Sequence, residues 1–270
     1  MFTNIKNFVK STPLIIPFII IKNVLKKNKL SQSNEAEIID SLLARFEVPH
    51  SFVEFGFSGW EFNCIKIANE WEGLLIDSND YNIAVAKRIF SKKIIVKKMW
   101  LTLETLDYVI DYIKTRKLGI LSIDVDGNDY WFLEKLIVTR PKIIIVEFNV
   151  AFGLRPISVP YDRAFDRTKK HESWEYYGAS IAAMNYICER NNYSLLEISH
   201  NGVNAFFVSN DLLSHEDQRL SSAEAYRNKI YPDGSIAPAS EIWEKVKKMP
   251  YVDISQENAT QFSHGSIVDS

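Results

Sequence analysis

Carboxylates stand at the ends of apolar runs in this chain. "SFVEFG" carries Glu54 just before Gly56, and "GLLIDS" closes on Asp77. "GILSIDVDGND" brings Asp124, Asp126 and Asp129 together, and "KIIIVEFN" ends with Glu147 and Asn149. A buried, unpaired charge is costly, so a packed core has no use for acids in these places. A ligand has. Gly56 and Gly59 would let backbone approach it without a Cβ clash, with Ser58 between them. Asp77 follows Gly56 by 21 positions, the spacing at which an acid on a second strand reaches ribose hydroxyls. Met99 and Trp100, after the third run, offer faces for an adenine ring. Together they describe an adenosine-containing ligand, which leaves two cofactors open. A dinucleotide needs its pyrophosphate on a helix N-terminus, and E-x-G-x-x-G lacks the third glycine of that fingerprint. S-adenosylmethionine (SAM) has no phosphate and tolerates the looser turn, with Glu54 and the turn backbone meeting its methionine end.

The elements that must hold these residues alternate in type. Runs at 51–56, 73–78, 92–99, 119–127 and 142–149 read as strands. Helical spacing occupies 61–71, 81–90, 103–117 and 130–138, and an earlier helix starts at 35 with Ile38, Ile39, Leu42 and Leu43. Such alternation predicts a Rossmann-like α/β fold, a three-layer sandwich with a mostly parallel sheet. A helix over 178–192 then leads into strands at 193–199 and 204–209, joined through Asn201-Gly202, a hairpin signal. That makes seven strands, the last antiparallel. In such a sheet the carboxyl ends of the strands form the ligand rim, so the acids above should meet there.

Composition narrows the function classes. Net charge is −2, which gives no basic field for nucleic acid. Two cysteines, Cys64 and Cys188, fit a reducing compartment and a cytoplasmic protein. The N-terminal extension, residues 1–34, holds an apolar run from Pro13 to Ile21, too short to span a bilayer. It reads either as a segment packed on the domain or on a second copy in a homodimer, or as a peripheral membrane contact through residues 13–29, with Lys22, Lys26, Lys27 and Lys29 toward anionic lipid. Residues 35–215 form the main domain, 216–254 a helical extension, and the polar 255–270 a tail expected to be disordered.

"VEFGFSGWE", "LLIDSN", "LSIDVDGNDYWFLEKL", "PKIIIVEFN" and the hairpin block up to "NAFFVSN" resemble the FkbM-type class I SAM-dependent methyltransferases, of the kind encoded with bacterial surface-glycan genes. The resemblance implies SAM held by Glu54, Gly56, Gly59 and Asp77, with the Asp124 region closing over it, and the strand-end residues Ser58, Met99 and Trp100 are expected beside them. The resemblance does not identify the acceptor; the expected reaction is O-methylation of a sugar or glycan precursor for capsule or lipopolysaccharide. The acceptor would lie under the polar, aromatic loop 150–177, which carries Arg155, Arg163, Arg167 and Tyr177. A hydroxyl acceptor must lose a proton, for which Asp124, Asp126 and His171 are the candidate bases. Asp124, Asp126, Glu147 and Asn149 are hard oxygen donors that suit Mg²⁺. Asp124 and Asp126, two apart, would face one side of a continuing strand. Two other readings stay open: an NAD-type nucleotide-sugar oxidoreductase, and a silent interaction protein that keeps the fold.

Overall fold

The computed structural model describes residues 31–59, 61–231 and 233–255. The 13–29 segment and the tail from 256 lie outside the described residues. Among the described residues, no helix is long and apolar enough to cross a membrane.

Five strands, β1 (Ser51–Phe55), β2 (Glu72–Asp77), β3 (Ile94–Lys98), β4 (Ile120–Ile123) and β5 (Ile143–Glu147), run parallel. After a two-residue β6 (Ile157–Ser158) come β7 (Tyr193–Ile198) and β8 (Asn204–Ser209). The order across the sheet is β3-β2-β1-β4-β5-β8-β7. β8 is antiparallel to both of its neighbours, so the last strand of the seven is the reversed one, second from the edge. This is the expected Rossmann-like fold. The strand order reverses between β1 and β4, and ligand crevices open at such a switch point.

Period-two alternation divides the side chains between two apolar layers. Val53, Phe55, Leu121, Ile123, Ile144 and Val146 face α3 (Leu106–Lys114), α4 (Asp129–Leu136) and α6 (Ile181–Arg190). Phe52, Leu75, Ile120, Ile143 and Ile145 face α1 (Glu35–Arg45) and α2 (Asp80–Ile89). The strands are apolar on both sides because both faces are covered. Two short helices, α5 (Arg167–Lys170) and α7 (Ser222–Ala225), are followed by α8 (Ala239–Val246). Ile242 and Val246 of α8, with Ile254, join the first apolar layer.

Two local expectations are corrected. The helix expected over 61–71 is a string of turns ending in one 3₁₀ turn, Ile67–Asn69. Ile65 and Ile67 are β-branched and Asn63 and Asn69 favour turns, so apolar spacing alone does not carry a helix here. The strand expected to run to 127 stops at Ile123, and Asp126 takes a left-handed φ of 56°. Asp124 and Asp126 therefore lie on a turn, not on one continuing strand. Within 216–254, a small antiparallel ladder, β9 (Lys229–Ile230) with β10 (Ile236–Ala237), precedes α8.

Candidate active site

The rim starts at the end of β1. Gly56 has φ 71°, and a Cβ on it would lie 1.3 Å from the carbonyl oxygen of Asp124. The glycine is thus demanded by the protein's own backbone just beyond β4, the parallel neighbour of β1. Asn82, on the first turn of α2, fastens the segment beyond: its Nδ2 donates to Phe57 O (2.9 Å) and its Oδ1 accepts from Gly59 N (3.0 Å). Gly59 faces the Tyr81 ring and lines neither rim cavity. Asn82 does, although its residue type and position gave no advance sign of it.

Two cavities open along this rim and share Gly56, Phe57, Ser58, Asp124 and Asp126 as a common wall. The first, of about 330 Å³, is lined by Asp77 at the end of β2 and by Met99, Trp100 and Leu101 after β3. Burial raises the Asp77 carboxyl above its usual range, while the amide of Asn79 donates to its Oδ1 at 2.6 Å. Trp100 is 51% exposed, and its Nε1 donates to Arg163 O (2.9 Å) in the loop opposite. Phe165 of that loop closes the cavity over Gly127, which has no room for a Cβ beneath the ring. The Asn128 side chain pairs with both backbone groups of Asp162 and ties the loop to the rim. The structure therefore brings Gly56, Ser58, Asp77, Met99, Trp100 and Asp124 together around one cavity.

The second cavity, of about 370 Å³, is more polar. Glu54 is buried on its wall, and its two oxygens accept from the amides of Asn63 (2.7 Å) and Cys64 (3.0 Å). Burial pushes the Glu54 pKa up to about 7 against those two bonds. Opposite stand Asp124, Asp126 and Glu147, with carboxylate oxygens within 4.8 Å of one another. Burial, and then the charge of Glu147, hold Asp124 well above the ordinary carboxylate range. Burial, and then the Asp126 charge, raise Glu147 to about 8. Asp129 stays behind the cluster, buried, accepting from Val125 N (2.7 Å) and Gly127 N (2.8 Å). Glu147 is 6% exposed, and its Oε2 has no hydrogen-bond partner among the described residues.

Arg167 of α5 enters this cavity and forms an ion pair with Asp126. Lys229, His200, Asn201 and Tyr231 line it too. Sequence reasoning singled out neither Lys229 nor His200. His200 and Asn201 arrive because β8 pairs antiparallel with β5, Asn204 opposite Glu147, which hangs the β7–β8 loop over the end of β5. Lys229 belongs to a short ladder with no local sequence signature.

Besides Gly59, two expected residues are not brought in. His171 lines neither cavity, and its Nδ1 lies 2.8 Å from Ser173 Oγ. Asn149 is spent on backbone: Nδ2 donates to Glu175 O (2.8 Å) and Tyr177 O (3.0 Å), and Oδ1 accepts from Ala151 N (2.9 Å). The four-ligand set expected for Mg²⁺ does not fit, because Asn149 has no free atom and Asp126 already holds a guanidinium.

No protein-family model and no curated protein matches the chain. Solved structures similar to it include the O-methyltransferase from Bacillus cereus in complex with SAH. That match has a TM-score of 0.43 and 15% identity, covering 76% of this chain and 95% of that one. The N-terminal domain of EvdMO1 with SAH bound is similar at TM-score 0.43 and 13% identity, over 66% of this chain and 80% of that one. The bifunctional kinase-methyltransferase WbdD is similar at TM-score 0.37 and 14% identity, over 66% of this chain and 38% of that one.

Proposed function

We propose that the chain is a SAM-dependent methyltransferase of the FkbM type, which O-methylates a sugar or surface-glycan precursor. The observation that carries this is the pair of cavities with a shared wall at Gly56, Phe57, Ser58, Asp124 and Asp126. The first cavity offers Asp77 to ribose hydroxyls and Met99, Trp100 and Leu101 to a purine. The second offers the carboxylates of Glu54, Asp124, Asp126 and Glu147, which suits a polyhydroxyl acceptor. In the reaction the acceptor oxygen bonds the methyl carbon in line as the carbon–sulfur bond breaks, releasing S-adenosylhomocysteine. Alignment across the shared wall supplies most of the effect. The hydroxyl proton passes to Glu147, whose pKa burial raises to about 8, near neutrality, where a general base is most effective.

One observation weighs against the pyridine-nucleotide reading. A pyrophosphate needs free amides at a helix N-terminus after the glycine turn. Here no α-helix follows that turn, and Glu54 already occupies the amides of Asn63 and Cys64. A silent scaffold, for its part, gains nothing from a buried, unpartnered Glu147 Oε2 at a cavity wall. Calorimetry with S-adenosylhomocysteine and with NAD tests the assignment. Binding of the first alone is expected, and binding of NAD alone refutes it. Mass spectrometry of glycan precursors from cells lacking the chain should then show one methyl group missing.

A further inference from the structure

We infer that Arg167 is the resident cation of the acid cluster, filling by its own guanidinium the place that a divalent metal would take among Asp124, Asp126 and Glu147. The inference concerns the acceptor half of the site, and its test is independent of the methyltransferase reading.

Three carboxylates converging within 4.8 Å repel one another unless a positive charge or protons stand among them. Arg167 supplies the charge, and it is held in place from three sides. It is ion-paired with Asp126. Its Nε donates to the carbonyl oxygen of Trp174 at 2.9 Å. Its guanidinium carbon lies 3.8 Å from the centre of the Tyr177 ring. Tyr177 is itself 1% exposed, so the ring is a fixed platform. A planar guanidinium is suited to this combination of stacking and forked donation, which an ammonium cannot reproduce in full. The Arg167 side chain is 21% exposed and lines the same cavity as Asp124 and Glu147. The charges act on one another: Arg167 lowers the Glu147 pKa, while Asp126 and Glu147 raise that of Arg167.

The other cation lining this cavity is engaged elsewhere: Lys229 lies 3.7 Å from Glu175 Oε2 and 3.4 Å from the Tyr177 hydroxyl. Asn149, which would complete a metal's donor set, is committed to three backbone groups. Glu147 Oε2 remains the unanswered acceptor atom. Arg167 therefore neutralises the cluster on the Asp126 side and leaves the Glu147 side to receive a donor from the acceptor. Arg167 is in this sense a positioning residue.

The test is Mn²⁺ binding to the full-length chain, followed by electron paramagnetic resonance. The unaltered protein should bind Mn²⁺ no better than the millimolar range. Arg167→Met should bind one Mn²⁺ about tenfold tighter or better, because a like charge has left a site of three hard oxygen donors. Arg167→Lys keeps the charge and should stay like the unaltered protein. Adding Asp126→Asn to Arg167→Met should abolish the gain. Tight Mn²⁺ binding to the unaltered protein overturns the inference. So does an Arg167→Met variant that folds, shown by its melting curve, and gains no Mn²⁺ affinity. If Arg167→Met does not fold, Arg167→Gln serves in its place under the same criterion. S-adenosylhomocysteine affinity measured on the same samples keeps the two questions apart. Its absence from the unaltered protein refutes the proposed function and leaves the Mn²⁺ result readable.

Discussion

Gly56→Ala separates two explanations of the first glycine. If the glycine exists so that a ligand can come close, alanine will fold normally and bind S-adenosylhomocysteine poorly. The structure gives another reason. A Cβ at this position would sit 1.3 Å from Asp124 O, and real Cβ contacts stay above 3.0 Å, so the ends of β1 and β4 must part by about 1.7 Å. The φ of 71° adds roughly 1–2 kcal/mol for an L side chain. The Gly56 N to Ile76 O bond, 3.3 Å long, ties the same residue to β2 on the other side, and a shift of Gly56 that breaks it costs about 1 kcal/mol. Parting the strands also loosens Phe55 and Ile123, each 1% exposed, for about 1 kcal/mol more. The sum is ~4 kcal/mol, a large share of a total stability of about 5–15 kcal/mol. For a domain of this size that is a fall in Tm of roughly 10 °C. Differential scanning calorimetry reads the shift, and urea midpoints check it. Gly59→Ala is the internal control. Its Cβ would meet only the Tyr81 ring, a side chain that can turn away, so its cost should stay below about 1 kcal/mol. A Gly56→Ala protein that melts within about 2 °C of the parent would refute the backbone explanation and return the glycine to the ligand.

The remaining predictions rest on single carboxylates. Asp77→Asn keeps an acceptor for the Asn79 amide but gives up the charge that a ribose diol meets, so calorimetry should show S-adenosylhomocysteine affinity down about tenfold at unchanged Tm. As a general base, Glu147 works only when deprotonated, and its pKa is raised to about 8. Methyl-transfer rate should therefore climb with pH up to about 8, and Glu147→Gln should flatten that climb as well as lower the rate. Glu54 holds its proton more tightly folded than unfolded, so its contribution to stability is full below 4.5 and lost as pH rises to about 7. That interval corresponds to ~3 kcal/mol, and urea titrations across it should lose the corresponding slope in Glu54→Gln. A slope unchanged in the variant would put the pH dependence on another group.

Strands were legible in this sequence because a sheet covered on both faces must be written as unbroken apolar runs. "KIIIVEFN" and "GILSI" leave little choice. The rim acids were legible for the opposite reason, since charges at the ends of such runs contradict packing. Side-chain geometry beyond the strand ends was not legible. Asp124 and Asp126 do converge, but through a left-handed residue and not through strand alternation, which no spacing rule could foretell. Glu54 points into the α1–α2 layer by simple parity with Phe52, and there its oxygens take the amides that a helix start would have offered. Asn149 looked like a ligand and is a clip for residues 175 and 177. Lys229 and His200 reach the site through long-range pairing, so the local sequence is silent about them.

The division of labour along the rim follows from the close approach of Gly56 to Asp124. Gly56 and Asp124 touch through main chain, so the wall between the cavities is set by backbone contact and not by the rotamer of a long side chain. A group bound on the Asp77 side and a group bound on the Glu147 side are then held at a separation fixed by the sheet itself. Displacement chemistry is most sensitive to that distance, where errors near 1 Å cost about a hundredfold in rate. The side chains of Trp100, Phe165 and Arg167 sit on or against the covering loop and close over that wall from outside. Precision therefore comes from the strands and selectivity from the loop, which is why changes at Arg167 should alter what the second cavity accepts long before they alter what the first one holds.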